Sequence, residues 1–419
     1  MSNSENGHVP DNDTDIMRRI EIMAAISEDP NNLTRRCYVP EHRQINDLVA
    51  SWMKQAGMAV REDAVGNVIG RYEGRTPNAP AIMIGSHGDS VVDAGKYDGP
   101  LGVLSAIQVV QTLNDRGVQF DSAIEVVCFA DEEGVRYQST FLGSRAIAGT
   151  FDLAVLARKD KDGISLDQAM RDFGLNPEKI GEAARKPGDI RCYLEVHIEQ
   201  GPVLEAENRA TAAVTAIAGA NRMTVTVFGE TGVASSVSMK TRSDALAAVS
   251  EVVLALEAIA SESEDTVGTV GQIEVVPGAT GTVSDKTIFS VDLRAAQDEV
   301  RVKALDAFLK KLDEIGDRRK VSFHVDHSHK ADGVECAPWM VDQIENAMVD
   351  LGNSPFRLPS GAGHDAAAMA EITDVGMIFV RCKDGISHSP LEHVTREDAE
   401  AGAELLLRAV ERIGGLKSR

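Results

Sequence analysis

The sequence predicts an α/β protein. A domain on a mostly parallel sheet, with helices on both faces, is interrupted by a smaller inserted α+β domain of ferredoxin-like order. Three observations predict it. Short apolar runs at 81–85, 123–129, 193–198 and 376–381 each end at, or run into, a polar motif. An apolar helical stretch at 101–113 separates the first two runs at the spacing of a parallel βαβ unit, whose crossover is right-handed in nearly all cases. From about 219 to 326 the pattern becomes βαββαβ, the split-βαβ order, while the polar motifs lie on both sides of it, at 85–200 and 360–390. The expected division is 1–218 with 327–419 for the first domain and 219–326 for the insert.

The elements follow in order. Residues 40–57 form an amphipathic helix, with Ile45, Leu48, Val49 and Trp52 on one stripe and Gly57 as its C-terminal stop. The runs at 81–85 and 123–129 are buried strands. In the insert, 222–228 alternates like a strand. Residues 243–261 read as a helix with Leu246, Val249, Val253, Leu254 and Leu256 near one face. Residues 267–276 and 287–293 are strands, 300–315 a helix and 320–325 a strand. Open α/β sheets bind ligands at the carboxyl ends of their strands, so motifs far apart in sequence are expected to converge there.

Composition narrows the function. The 419 residues suffice for two domains. A net charge of −22 with only 4% aromatic residues argues against nucleic acid, which needs basic surface and stacking platforms. No apolar stretch approaches the roughly 20 residues of a membrane span. The opening MSNSENGHVPDNDTD lacks a basic n-region and an apolar core, so it reads as a frayed tail rather than a signal peptide. Five scattered cysteines, none in a CxxC pair, suggest buried thiols in a reducing cytoplasm.

The chemistry lies in the motifs. His87 ends one strand and Asp98 sits in the loop before the next helix; an imidazole and a carboxylate are ordinary zinc ligands. Asp98 has two oxygens and can bridge two ions about 3.5 Å apart. Asp89 is placed to accept the second ring N–H of His87 and fix its tautomer. The competing reading is a turn, which Asp98-Gly99-Pro100 signals by itself. Glu132 and Glu133 follow a buried strand. Adjacent side chains diverge, so Glu133 can bind metal while Glu132 faces a water as general base; the competing reading is a solvated acidic loop. His197 shares a strand face with Glu195 and Glu199, ahead of Gln200 and Gly201, although a lone strand histidine is more often structural. The Gly-rich turn Gly361-Ala362-Gly363-His364 can offer backbone N–H groups to an anion, or be a plain loop. His388 suits a last ligand. His324, His327 and His329 are read as a solvated strand end.

Together GSHGDSVVDAGKYDGPLGV, ADEEGVRY, FLGSRAIAG, LEVHIEQGPVLE, VDLRA, SGAGHDA and GISHSPLE, in that order over about 15–415, resemble the dinuclear zinc amidohydrolases of the aminoacylase and carboxypeptidase superfamily. The nearest branch is that of allantoate amidohydrolase, N-carbamoyl-L-amino-acid hydrolase and β-ureidopropionase. The resemblance implies two divalent ions, zinc first, with manganese, cobalt or nickel also suited. It implies His87, Asp98 and His197 around one ion and Asp98, Glu133 and His388 around the other, with Glu132 as base. Gln200, Arg294 and the loop Gly361–His364 would hold a small amide or ureido acid. Arg294 suits a carboxylate because its guanidinium is a fork. The insert would be a lid and the joint of a homodimer.

Two positions depart from the family pattern. Val233 stands where a lid histidine polarises the scissile carbonyl, and Gly281 where an asparagine meets the substrate. The expected activity is therefore hydrolysis of a C–N bond in a carboxylate-bearing amide other than the usual carbamoyl amino acid. An aminoacylase or dipeptidase of the same superfamily is the alternative, and a non-hydrolytic metal- or ligand-binding protein of the same fold a further one.

Overall fold

The computed structural model describes residues 14–264 and 266–415, so the expected frayed tail falls, up to residue 13, outside the described residues. The chain forms two compact units. One comprises the residues up to Thr215, Cys336–Leu358 and His364 onward; the other comprises Ala216–Glu335 and Pro359–Gly363.

The first unit is built on a mixed sheet in the order Ala59–Glu62, Val68–Tyr72, Ile124–Phe129, Ala81–His87, Ile190–Ile198, Val375–Val380, Thr211–Ile217. The middle four strands are mutually parallel, and they are the four apolar runs of the sequence. The antiparallel strands Val68–Tyr72 and Thr211–Ile217 flank them. Every residue of Ala81–His87, Ile124–Phe129 and Val375–Val380 is buried. Alternate side chains point to opposite faces, so both faces of this core are covered, which is why the runs read as continuous rather than alternating apolar sequence. The helix Pro100–Asp115 starts at a proline whose missing N–H costs nothing in the first turn. The helix Pro40–Gln55 stops before Gly57, at φ 92°. All five cysteines are buried and free. No helix among the described residues is long and apolar enough to cross a membrane.

The second unit has the βαββαβ order expected. Its sheet runs Ile273–Val276, Lys286–Ala295, Gly219–Phe228, Ser322–Ala331, which in chain order is second, third, first, fourth, the ferredoxin-like arrangement. Helices Ala245–Ala260 and Asp298–Arg319 bury Val249, Val252, Leu256, Phe308 and Leu312 against Val225, Val227, Phe289 and Val291. Three details differ from the sequence reading. The buried stripe of the first of these helices runs through Ala245, Ala248, Val249, Val252 and Leu256, while Leu246 and Leu254 are exposed: the small residues face the sheet. The single strand expected at 267–276 is two, Thr266–Thr269 and Ile273–Val276. Both pair with Lys286–Ala295, but Thr269 opposes Asp292 and Ile273 opposes Phe289, so four steps on one side meet three on the other, a bulge. The domain boundary expected after 326 falls inside the strand Ser322–Ala331, which stays hydrogen-bonded to Gly219–Phe228 as far as Ala331. On that strand His324 is exposed and bonds Asp326 at 3.1 Å.

Candidate metal centre

The carboxyl ends of the parallel strands gather the predicted ligands of the first unit. His87 closes Ala81–His87, Glu132 and Glu133 follow Ile124–Phe129, His197 lies in Ile190–Ile198, and His388 follows Val375–Val380. Asp98 sits at their focus. Its Oδ1 is 3.0 Å from His197 Nε2 and 3.5 Å from His87 Nε2, and its Oδ2 is 3.1 Å from His388 Nε2. His388 Nε2 lies 3.8 Å from Glu133. Three groups bring their donor atoms within 4.8 Å of one another: His87, Asp98 and His197; Asp98, Glu133 and His388; and His87, Glu132 and Glu133. The first two coincide with the ligand sets that the sequence resemblance implies, with Asp98 common to both.

The donor chemistry fits divalent cations. His87 Nδ1 lies 3.1 Å from the Asp89 carbonyl and His197 Nδ1 lies 2.9 Å from the Ile198 carbonyl. A carbonyl only accepts, so each Nδ1 carries a proton, and each Nε2 is the nitrogen turned towards Asp98, donating to that carboxylate here and able to ligate a cation once its own proton leaves, the arrangement that orients a ligating histidine. Carboxylate charge is crowded here. Burial raises Glu133 to about 7, with the charge of Asp98 beside it. Burial pushes Glu132 well above its ordinary value, helped by Glu133 and Asp365. Asp98 goes the other way: burial works to raise it, but bonds to His197, His388 and His87 hold it well below. The Asp98 bond, in turn, lifts His388 to about 9. So many buried carboxylates call for a compensating positive charge, which a bound dication would supply.

Asp89 takes a different position from the one expected. Its backbone carbonyl, not its carboxylate, is the nearer partner of His87; the carboxylate is 3.6 Å away. The carboxylate instead receives the backbone N–H of Glu132 on Oδ1 and that of Glu133 on Oδ2, both at 3.1 Å. Gln200, expected at the substrate, donates its amide to Asp98 Oδ2 and to Ser387 Oγ, each at 3.0 Å. Gln200 lies at φ 56°, with that amide on the candidate ligand Asp98. His364 is buried and packs edge-on against His197, ring centres 4.4 Å apart. Ser387, Glu392, Glu195 and Asp365 had no assigned role in the sequence reading. Ser387 and Glu392 were inside the GISHSPLE motif, and their spacing around His388 was the available signal.

In the second unit, Arg294 already forms a fork with Asp292, at 2.8 and 3.0 Å, and its Nη1 donates to the Gly361 carbonyl at 3.0 Å. The Ala362 N–H is engaged by Ser360 Oγ at 3.1 Å, so the turn around Gly361 and Gly363 is not the open row of donors expected at Ala362. Val233 and Gly281 prove to be neighbours. Val233 pairs with Thr282 in a two-residue ribbon, Ala234 N donates to Gly281 O at 2.8 Å, and Val233 is 62% exposed.

A model of the peptidase family M20/M25/M40 matches residues 83–412. The chain belongs to this family. An N-carbamoyl-L-amino acid amidohydrolase of Geobacillus stearothermophilus is 42% identical over 396 residues, covering 94% of this chain and 97% of that one. An allantoate deiminase of Arabidopsis thaliana is 37% identical, over 94% of this chain and 81% of its own. Among solved structures, an amidase of the hydantoinase/carbamoylase family from Burkholderia multivorans matches with a TM-score of 0.87 and 32% identity, over 94% of this chain and 96% of that one. The chain is thus an amidohydrolase of the M20/M25/M40 family, a hydrolase of carbon–nitrogen bonds other than peptide bonds. The family uses divalent metals, and the grouped side chains are its candidate ligands.

Proposed function

We propose that this protein is a dinuclear amidohydrolase that cleaves a C–N bond of a small carboxylate-bearing amide or ureido acid. The observation that carries the reading is the pair of ligand groups sharing Asp98. Zinc is the first choice for this nitrogen and oxygen set, with manganese, cobalt and nickel also suited. Bound cations would acidify a water and offset the charge that develops on the carbonyl oxygen. Glu132 takes the water's proton and returns it to the departing nitrogen. Asp89 fixes Glu132 and Glu133 through their backbone, so base and ligand keep one geometry. Arg294 is our candidate for the substrate carboxylate; its remaining Nη donors are the ones left for it.

Substrate choice rests on Val233 and Gly281. Valine cannot polarise a carbonyl, and glycine offers no side-chain carboxamide. Because the two positions adjoin in one ribbon, we read them as one altered wall, suited to an amide other than the ordinary N-carbamoyl-L-amino acids. We further infer a homodimer joined through the inserted unit, two-fold dimers being the commonest oligomers, working in a reducing cytoplasm where five free buried thiols persist. The test is turnover by the zinc-loaded protein across N-carbamoyl amino acids, allantoate, other ureido acids, N-acyl amino acids and dipeptides. Preference for dipeptides or N-acyl amino acids would replace the amidase reading with the aminoacylase one. No hydrolysis with two bound ions would leave a binding protein. Ordinary turnover of N-carbamoyl amino acids, on the order of 10 per second, would refute the altered wall.

A further inference from the structure

We propose that Glu392 is a positioning residue, a buried carboxylate that joins the Asp98 loop to the His388 loop and sets the angle at which Asp98 turns one oxygen to His197 and His87 and the other to His388. The inference rests on the two-metal reading of the site. Glu392 Oε1 accepts the Tyr97 N–H at 2.8 Å and the Asp98 N–H at 3.2 Å, and Oε2 accepts the Ser387 hydroxyl at 2.9 Å. It is 4% exposed, and 294 residues of chain separate it from Asp98.

The proton count closes these contacts into a ring. Ser387 Oγ also lies 3.2 Å from Asp98 Oδ2 and 3.0 Å from Gln200 Nε2, and Gln200 Nε2 lies 3.0 Å from Asp98 Oδ2. A hydroxyl has one proton and a carboxamide two. Every acceptor is served if Gln200 donates to both Asp98 Oδ2 and Ser387, and Ser387 donates to Glu392. The ring then runs from the Asp98 backbone through Glu392, Ser387 and Gln200 back to the Asp98 carboxylate, with each member satisfied, the condition under which a buried polar network rigidifies its surroundings. The held oxygen, Oδ2, is the one that faces His388. Oδ1 is left to His197 and His87.

An independent observation supports the joint. A Cβ on Gly95 would stand 2.1 to 2.4 Å from the Glu392 carboxyl and Cβ atoms. Gly95 is not among the residues of positive φ, so its bare backbone serves space, not conformation. The loop that carries Asp98 is shaped to admit this side chain.

The experiment compares the wild type with Glu392→Ala, Glu392→Gln, Gly95→Ala and Ser387→Ala. Each is stripped of metal and titrated with zinc against a chromophoric chelator, and its apoprotein melting temperature, kcat and KM are measured. Glu392→Ala and Gly95→Ala should weaken zinc affinity roughly 10- to 100-fold, the usual reach of groups that orient ligands, and lower kcat with KM little changed. Glu392→Gln keeps an oxygen for the two N–H groups and should stay within a few-fold of wild type. If Glu392→Ala melts lower but binds zinc as the wild type does, the residue is merely structural and the proposal falls. Should Glu392→Ala not fold, Ser387→Ala, which opens the ring and leaves Glu392 in place, decides: unchanged zinc affinity overturns the proposal. A wild type that binds no zinc would overturn the two-metal reading and this one with it, an outcome distinct from normal wild-type binding with insensitive variants.

Discussion

Replacing Asp89 by Asn tests what that carboxylate does. It gives one oxygen to the Glu132 N–H and the other to the Glu133 N–H, both at 3.1 Å, and the residue is 1% exposed. Asparagine has one oxygen, so its amide N–H₂ must confront one of the two backbone N–H groups. An orphaned buried N–H costs about 1–3 kcal/mol, and 1.4 kcal/mol is about a factor of ten. The loop carrying base and ligand should therefore shift, weakening metal binding and turnover by roughly 10- to 100-fold. The contact with His87 should survive, because it uses the Asp89 backbone carbonyl. Zinc titration of the apoprotein and kcat on the best substrate measure the effect, with circular dichroism confirming the fold. Zinc affinity and kcat both within twofold of wild type would refute the argument that this carboxylate anchors Glu132 and Glu133.

Glu132→Gln should abolish turnover while metal content stays near wild type, since the amide keeps the shape but cannot take a proton; activity within a few-fold would remove Glu132 from the mechanism. Val233→His should raise hydrolysis of N-carbamoyl amino acids or allantoate at least about tenfold, in the range of one restored oxyanion donor; no gain would mean that another group already does that work. His42 should make the fold acid-sensitive. Burial lowers its pKa from 6.5 to about 4, with Asp89 opposing and Arg35 and Arg43 assisting, so between those values the unfolded chain binds the extra proton. Stability is full above pH 6.5 and falls as pH drops towards 4, by about 3 kcal/mol at 1.36 kcal/mol per pH unit. His42→Asn, whose oxygen can still accept the Tyr38 N–H that His42 Nδ1 now takes at 3.0 Å, should flatten that part of a urea-midpoint profile against pH; an unchanged profile would discharge His42.

What the sequence revealed, and what it did not, has a physical division. The four parallel strands were legible because strands buried on both faces leave unbroken apolar runs, and Phe129 and Val380 end theirs just ahead of the acidic and histidine motifs. The antiparallel strand Ala59–Glu62, at the sheet edge, was not, since a short, mostly exposed strand carries little periodic signal. Candidate metal ligands could be named because few residue types bind metal, and most stood at or after a strand end, with Asp98 in the loop before a helix. Their orienting partners could not. Whether Asp89 uses its carboxylate or its carbonyl, and whether Gln200 faces a substrate or Asp98, depends on a backbone angle that no motif states.

Those angles point to how the site is held. Asp131, Gln200 and His388 are non-glycine residues at φ 56°, 56° and 53°, in the left-handed region that costs an ordinary side chain of order 1–3 kcal/mol. Each stands at or next to a residue of the candidate metal site: Asp131 before the Glu132–Glu133 pair, Gln200 on the amide that meets Asp98, and His388 at the last candidate ligand. Strained turns persist only where the surroundings over-determine them. Here the surroundings can be named. Asp89 holds the turn after Asp131 by two N–H bonds, while Ser387 and Glu392 hold the turns of Gln200 and His388 through Asp98. Four of the site's carboxylates thus fall into two pairs by what they face. Asp98 and Glu133 face imidazole nitrogens and are left for cations; Asp89 and Glu392 face backbone N–H groups and spend their charge on geometry. On this account removing a member of the second pair should damage the site through the position of the first, with the ligand side chains all still present.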